Sequence, residues 1–446
     1  MKKFFTTISN IWKIDDLRVR ITNTLLFLLI YRAGSFVVLP GVNPASLLGN
    51  KGAEGIAGLL NMFAGGSFSR ASIFALGVMP YISASIVVQL LGIAVPYFAK
   101  LQKEGESGRN KLNQWTRYLT IGITVLQAAA YLKSQILPNQ MEIPNPYFSV
   151  LNMFVLTAGT MFIMWLGEKI TDKGIGNGIS LIIMVGIISS LPGAFLTEFQ
   201  SRNAGAGGLV TFIVEIVALI AVVMFTILIV QGTRKVAVQY AKRIVGNKQY
   251  GGVRQYIPLK VNAAGVMPII FAQALMFIPA TVAQFFPKAA SNPILMSLTG
   301  YTSLGYNVLF ALLIIVFTYF YTAITVNPNQ MAEDMKKNGG FIPGIKPGKS
   351  TADFIDGVIS KITLPGSIFL AIVAIFPALA SLLHVNSSFA RFFGGTSLII
   401  LVGVVLDTLQ QIESHLLMRH YDGLMKTGRI KGRTSVPAGG TGQPVI

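Results

Sequence analysis

The side chains able to do chemistry are few and scattered. With no Cys and three His among 446 residues, the donors for thiolate, redox and imidazole–metal chemistry are missing or nearly so. There is no HExxH, no phosphate-binding GxxxxGK[ST] and no Ser/His/Asp grouping. The run GIGNG at 174–178 has the glycine spacing of a nucleotide loop, but such a loop needs a preceding strand and a βαβ unit, which its surroundings do not offer. Close helix packing is the better role for Gly174, Gly176 and Gly178. Ionisable groups inside apolar runs are limited to Arg32, Glu215 and Asp407, with Glu168 and Glu413 near the ends of such runs and His384 at an edge. Each costs roughly 2.5–3.5 kcal/mol at a bilayer centre, so each needs a partner. Their scatter fits structural pairing or an interfacial position better than a proton relay. The inventory argues against an enzyme and gives no cofactor or metal site.

The elements that carry these groups are apolar. Hydrophobic residues make up 52% of the chain, charged residues 12%, and the mean hydropathy is +0.62. A soluble domain carries roughly 25% charged residues, so the composition points to a membrane protein and excludes disorder, a collagen repeat and a disulfide scaffold. Crossing about 30 Å of hydrocarbon takes about 20 residues. Ten such stretches occur, near 21–40, 74–95, 115–134, 148–168, 178–196, 209–231, 263–286, 307–326, 362–383 and 396–413. The first follows a charged stretch and lacks a small-residue cleavage site, so it reads as a retained helix rather than a signal peptide.

Cations fix the orientation. Alternate loops and the two tails hold 29 Lys and Arg, the opposite face holds six, and Arg32 lies within the first span. Both termini are therefore expected on the cytoplasmic side, as an even number of spans requires. Two cytoplasmic loops exceed what topology needs. Between Gln231 and Val261 stand Arg234, Lys235, Lys242, Arg243, Lys248, Arg254 and Lys260, with no acid, three tyrosines interleaved and Gly251-Gly252 as a hairpin tip. An anchor needs two or three cations; seven suggest a surface that docks on phosphates or an acidic protein. The 327–361 loop mixes both charge signs and is broken by GGFIPGIKPG, which suggests a projecting, turn-rich platform.

One apolar segment is broken. Residues 56–64 are too short to span, Gly65-Gly66 interrupts them, and a full helix is expected from about Ile73. This pattern reads as a short re-entrant element, and non-helical backbone at membrane depth implies an internal cavity.

Seven segments together carry a resemblance: NMFAGGSFSRASIFALGVMPYISASIVVQLL, KEGESGRNKLNQWTRY, GTMFIMWLGEKITDKGIGNGISLII, YAKR, PLKVNAAGVMPIIFA, FYTAITVNPNQMAEDMKKNGGFIPGIKPG and FGGTSL. In this order, from about residue 17 to about 432, the chain resembles the bacterial SecY family, the channel subunit of the Sec protein translocase. The tail after Arg433, rich in Gly, Pro and Thr, lies outside the likeness.

The resemblance implies an all-α membrane protein of ten transmembrane helices in two inverted pseudo-symmetric five-helix halves, hinged near Leu191-Pro192-Gly193, with a short re-entrant plug helix. The implied division is a cytoplasmic segment 1–20, halves 21–192 and 193–413, and a cytoplasmic tail 414–446. Plug residues would be Leu59, Leu60, Asn61, Met62, Phe63, Gly65 and Gly66, within about 57–67. Val78, Ile82, Ile179, Ile183, Ile270 and Ile400 match the family's aliphatic pore ring, and without that match they would read as lipid-facing. Ser83, Gln127 and Asn262 match a polar cluster at a lateral gate, formed by the second and seventh helices with the third and eighth behind them. Implied partners are the small membrane subunits SecE and SecG, the SecA motor ATPase, the ribosome, signal peptides and nascent chains, and membrane lipid. The location implied is the bacterial inner membrane. Lys346 stands where the family has Arg and lacks its bidentate contact, a departure that bears on motor coupling rather than on the channel. The expected function is passage of unfolded polypeptide, with energy from the partners. A secondary transporter of a small solute is the alternative; it calls for a compact polar site with intramembrane acids. A purely structural scaffold is the third.

Overall fold

A computed structural model describes residues 12, 14–43, 56–136, 144, 147–203, 208–240, 243–245, 248–250, 254–285, 293–300, 302–383 and 385–427. Its helices are α1 (Asp15–Gly34), α2 (Ile56–Phe63), α3 (Met79–Ala94), α4 (Pro96–Lys103), α5 (Glu106–Gln135), α6 (Tyr147–Lys173), α7 (Gly178–Asn203) and α8 (Gly208–Val230). After four strands, β1 (Thr233–Tyr240), β2 (Arg243–Val245), β3 (Lys248–Tyr250) and β4 (Arg254–Lys260), come α9 (Met267–Phe285), α10 (Pro293–Thr299), α11 (Leu304–Thr325) and α12 (Pro328–Lys337). The chain closes with β5 (Gly340–Phe341), α13 (Lys349–Leu382), α14 (Ser387–Ala390) and α15 (Gly395–Thr427).

A helix lies on each of the ten expected spans. Among the described residues six helices are long and apolar enough to cross a membrane, and α3 with α4, bent by 104°, makes a seventh if taken as one span. Of the other three, α1 is diluted by Asp15, Asp16, Arg18 and Arg20, the first turns of α5 are polar and charged, and α9 is apolar along its 19 residues, Met267–Phe285. The architecture is that of an all-α membrane channel fold.

The structure corrects the second span. Its helix starts at Met79, not near Ile73, and has 16 residues. At 1.5 Å per residue that rises about 24 Å, short of the hydrocarbon thickness. Residues 64–78 are turns, with positive φ at Gly65, Gly66, Ala71 and Gly77. Their backbone is satisfied by the stretch after α1: Leu39 N–H donates to the Ala71 carbonyl at 2.8 Å and Ile73 N–H to the Val37 carbonyl at 2.9 Å. Irregular backbone survives at depth because it is paired inside protein.

A second difference concerns Leu191-Pro192-Gly193. Helix α7 runs unbroken through these residues to Asn203, so its connection to α8 falls at 204–207, outside the described residues. The GIGNG run packs closely, as expected. A Cβ on Gly178 would lie 2.0 Å from the Gly167 carbonyl oxygen, so α6 and the start of α7 approach backbone to backbone.

The two long loops, 231–261 and 327–361, form one module rather than two. Strand β1 pairs antiparallel with β4 from Thr233↔Lys260 to Gln239↔Arg254, and on its other edge with β5, giving the order β4-β1-β5. Val236, Val238 and Leu259 from the first loop pack with Met335, Ile342 and Ile355 from the second and from α13. The sheet gives each loop an apolar face that neither buries alone.

Candidate functional site

Four elements bring the six aliphatic residues together. Val78 caps α3 and Ile82 follows one turn later, Ile179 and Ile183 occupy the first turns of α7, Ile270 the first turn of α9, and Ile400 the second turn of α15. Val78, Ile82, Ile183 and Ile400 are buried in one apolar cluster, and Ile179 and Ile270 are partly buried against it. An apolar cluster of this kind offers a hydrated ion nothing to replace its water.

Short α2 enters the same cluster. Met62 and Phe63 are buried in it and Leu60 packs against it; Leu59 lies in the helix. Asn61 ties off the C-terminal end, its carbonyl accepting Gly66 N–H at 2.7 Å and its Oδ1 accepting Ser69 N–H at 3.0 Å. The positive φ of Gly65 and Gly66 turns the chain there. Beneath this turn lies Gly186 of α7, where a Cβ would sit 2.3 Å from the Phe63 carbonyl oxygen, so only glycine admits the approach.

Two cations missed by sequence reasoning hold the turn. Arg32 Nη1 and Arg70 Nη2 both donate to the Gly65 carbonyl, at 2.8 and 2.9 Å. Both guanidiniums also stand over Phe36, 4.9 and 4.5 Å from its ring centroid. Arg32 was legible only as a costly intramembrane charge; its partner is a backbone oxygen, which no side-chain pattern announces.

Ser83 lies on α3, Gln127 on α5 and Asn262 in the turn that precedes α9, and α3 and α5 both touch α9. Among the described residues no hydrogen bond joins the three. Ser83 Oγ donates to the Met79 carbonyl of its own helix at 3.1 Å, and Asn262 Nδ2 donates to the Gly265 carbonyl at 2.9 Å. Asn262 Oδ1 is buried without a protein partner, and the residue lines a cavity of about 240 Å³ shared with Asn177, Ser180, Ile270, Asp407 and Gln410. Apolar packing closes this seam instead.

The other intramembrane charges are paired or at the surface. Glu168 accepts from Arg117 at 2.7 Å, Asp407 accepts from Gln411 at 3.3 Å, and Glu215 meets Arg202. Glu413 is exposed, and His384 lies outside the described residues. Among the described residues no group of three or more His, Cys, Asp or Glu is placed to hold a metal.

In the module of β1, β4 and β5, Arg234, Lys235 and Arg254 are exposed. Lys242 lies outside the described residues, while Arg243 and Lys248 stand in the β2–β3 pairing, in register with Tyr250 and Val245. Lys346 is exposed, and its carbonyl accepts from Thr351 Oγ1 at 2.9 Å, which fixes the turn before α13.

Comparisons with known proteins agree with this architecture. The SecY family model matches residues 72–409. The protein translocase subunit SecY of Halalkalibacterium halodurans is 46% identical over 435 residues, covering 95% of this chain and all of the relative. That of Streptomyces scabiei is 42% identical over 438 residues, covering 94% of this chain and all of the relative. A solved protein-conducting channel superposes with a TM-score of 0.65 at 18% identity, covering 92% of this chain and 95% of that one. A SecY whose plug domain stabilises the closed state gives 0.63 at 17%, with the same coverage. Sec61 from a canine ribosome–channel complex gives 0.61 at 17%, again covering 92% and 95%. The structures speak for the fold and the relatives for the lineage: this chain is a multi-pass membrane protein of the SecY family.

Proposed function

We infer that the chain forms the protein-conducting channel of a Sec translocon, translocating unfolded preproteins across the bacterial inner membrane and releasing transmembrane segments sideways into lipid. The observation that carries this reading is the seat of α2. A helix of eight residues cannot span, yet its Met62 and Phe63 are buried in one cluster with the aliphatic residues of α3, α7, α9 and α15, and the turn after it is held by Arg32 and Arg70 on the Gly65 carbonyl. A segment so placed fits a stopper.

In this reading residues 57–67 are the plug, and Val78, Ile82, Ile179, Ile183, Ile270 and Ile400 are the ring that fits around a passing chain. The lateral gate is the seam of α3 and α5 against α9, with Ser83, Gln127 and Asn262 along it. The halves are 21–192 with α7 completing the first, and the remainder to about 413. The absence of hydrogen bonds among the three polar residues supports a seam that opens at low cost. Energy comes from outside the chain: the SecA motor, the ribosome or the proton-motive force. The exposed cations of β1 and β4 and the turn at Lys346 dock these partners, and SecE and SecG complete the membrane assembly. Both termini are cytoplasmic, in keeping with the cation distribution. Ion conductance of the reconstituted chain with and without residues 57–67 tests the stopper. A deletion that folds and leaks supports it, and one that folds and stays tight overturns it.

A further inference from the structure

A buried ionic cluster joins the end of α7 to α8 and to the segment before α14. In the last turn of α7, Arg202 lies between two carboxylates: its Nε donates to Glu198 Oε1 at 2.8 Å and its Nη2 to Glu215 Oε1 of α8 at 2.5 Å. Glu198 Oε2 accepts the backbone N–H of Asn386 at 3.0 Å, and Asn386 in turn caps α14 through Ser388 N–H. The Arg202, Glu198 and Glu215 side chains are only 6%, 1% and 8% exposed. Beneath them Phe195 of α7 meets Phe212 of α8 and Phe389 of α14 edge-on, with centroids 5.1 and 6.3 Å apart. At the other end of α7, Gly176 N–H donates to Gln411 Oε1 of α15 at 2.9 Å. So α7, which also packs on α1, α2 and α6, is bound at both ends to elements of the second half. Across the gate seam, by contrast, no hydrogen bond or ion pair joins α3 or α5 to α9 among the described residues.

We propose that Arg202, with Glu198 and Glu215, is a clasp that fixes the pivot of the channel, keeping α7, α8 and the Asn386 segment together while the halves part at α3–α9. Two carboxylates share one guanidinium, so without Arg202 like charges would face each other across the α7–α8 junction. Arg202 is a positioning residue: it touches no translocating chain and acts by directing motion to the far seam. The proposal rests on the channel reading above.

Buried ionic triads permit a clean test, because replacing every member by apolar residues of similar size often preserves stability where removing one member does not. The variant is Glu198→Leu, Arg202→Met and Glu215→Leu in the full chain. The parent has no cysteine, so Tyr147→Cys and Leu304→Cys, at positions 75% and 81% exposed at the starts of α6 and α11, give unique spin-label sites. The expected result in proteoliposomes is an unchanged melting temperature, a broadened inter-label distance distribution and an ion leak raised about tenfold, within the range of ordinary coupling between sites. An unchanged melting temperature with parental distances and leak overturns the clasp. Should the triple variant not fold, Arg202→Lys keeps the charge and loses the fork; broadened distances then support the clasp and parental ones overturn it. Deleting 57–67 from the parent separates the two readings, for if that channel leaks while the clasp variants behave as parent, only the clasp fails.

Discussion

Substituting Gly186→Ala tests the plug's seat without touching the plug or the aliphatic ring. The new Cβ would lie 2.3 Å from the Phe63 carbonyl oxygen and 3.2 Å from Gly65 N, and both are backbone atoms that cannot rotate away. Ordinary contact needs roughly 3.5 Å, so the end of α2 must retreat by about 1 Å. That retreat stretches the 2.8 and 2.9 Å bonds from Arg32 and Arg70 to the Gly65 carbonyl beyond hydrogen-bond range. A hydrogen bond to a charged group contributes about 1.5–3 kcal/mol, so losing even one removes about 2 kcal/mol from the closed state. At 1.4 kcal/mol per factor of ten, the open-to-closed ratio rises roughly thirtyfold. Alanine favours a helix interior over glycine by about 0.5–1 kcal/mol, so α7 itself should not suffer. The assay is resting ion conductance in planar bilayers, with the substitution made in the intact chain and in a chain lacking 57–67. The leak should rise in the first and not change in the second, the coupling expected of groups in contact. An unchanged leak in the intact chain, or an equal rise in both, would refute the seat.

Replacing Ile82 and Ile183 together by Gly opens a gap in the apolar constriction, so conductance should increase even with the plug in place; unchanged conductance would count against the ring. Deleting 57–67 should leave all ten long helices formed, read by circular dichroism and proteolysis, while the channel leaks; loss of membrane insertion would make the segment core. Reversing Lys242, Arg243, Lys248 and Arg254 to Glu should weaken ribosome binding and flatten its salt dependence, since fewer counterions are released; no change in either would reduce the loop to a topology anchor. Met335→Ala empties a site buried in the module of β1, β4 and β5, where such truncations cost about 2–5 kcal/mol. Protease cleavage within 231–261 should accelerate while resting conductance stays parental, and a changed conductance would show that the module and the membrane bundle are not separable.

Spans and the broken segment were legible because each rests on a strong, local signal: apolar length and a Gly-Gly interruption. The start of α3 was not. Residues 73–78 are as apolar as a helix, and only tertiary pairing with 37–39 holds them in turns. The β4-β1-β5 sheet was hidden for the same reason, since β5 is two residues long and pairs Gly340 with Tyr240, 100 residues earlier. The aliphatic six carried no signal of their own, because isoleucine on a membrane helix is as ordinary facing lipid as facing a pore. What escaped the sequence altogether were contacts made to backbone: Arg32 and Arg70 on the Gly65 carbonyl, Gly186 beneath Phe63, and Glu198 on Asn386 N–H. Side-chain types cannot disclose a partner that every residue possesses.

The central claim is that this chain conducts unfolded polypeptide. Reconstituted in proteoliposomes with SecE, SecG and the SecA motor, and given a signal-bearing precursor and ATP, it should yield precursor protected from external protease, with protection lost on adding detergent. No protected product, in a preparation where the Halalkalibacterium halodurans relative gives it under the same conditions, would contradict the account.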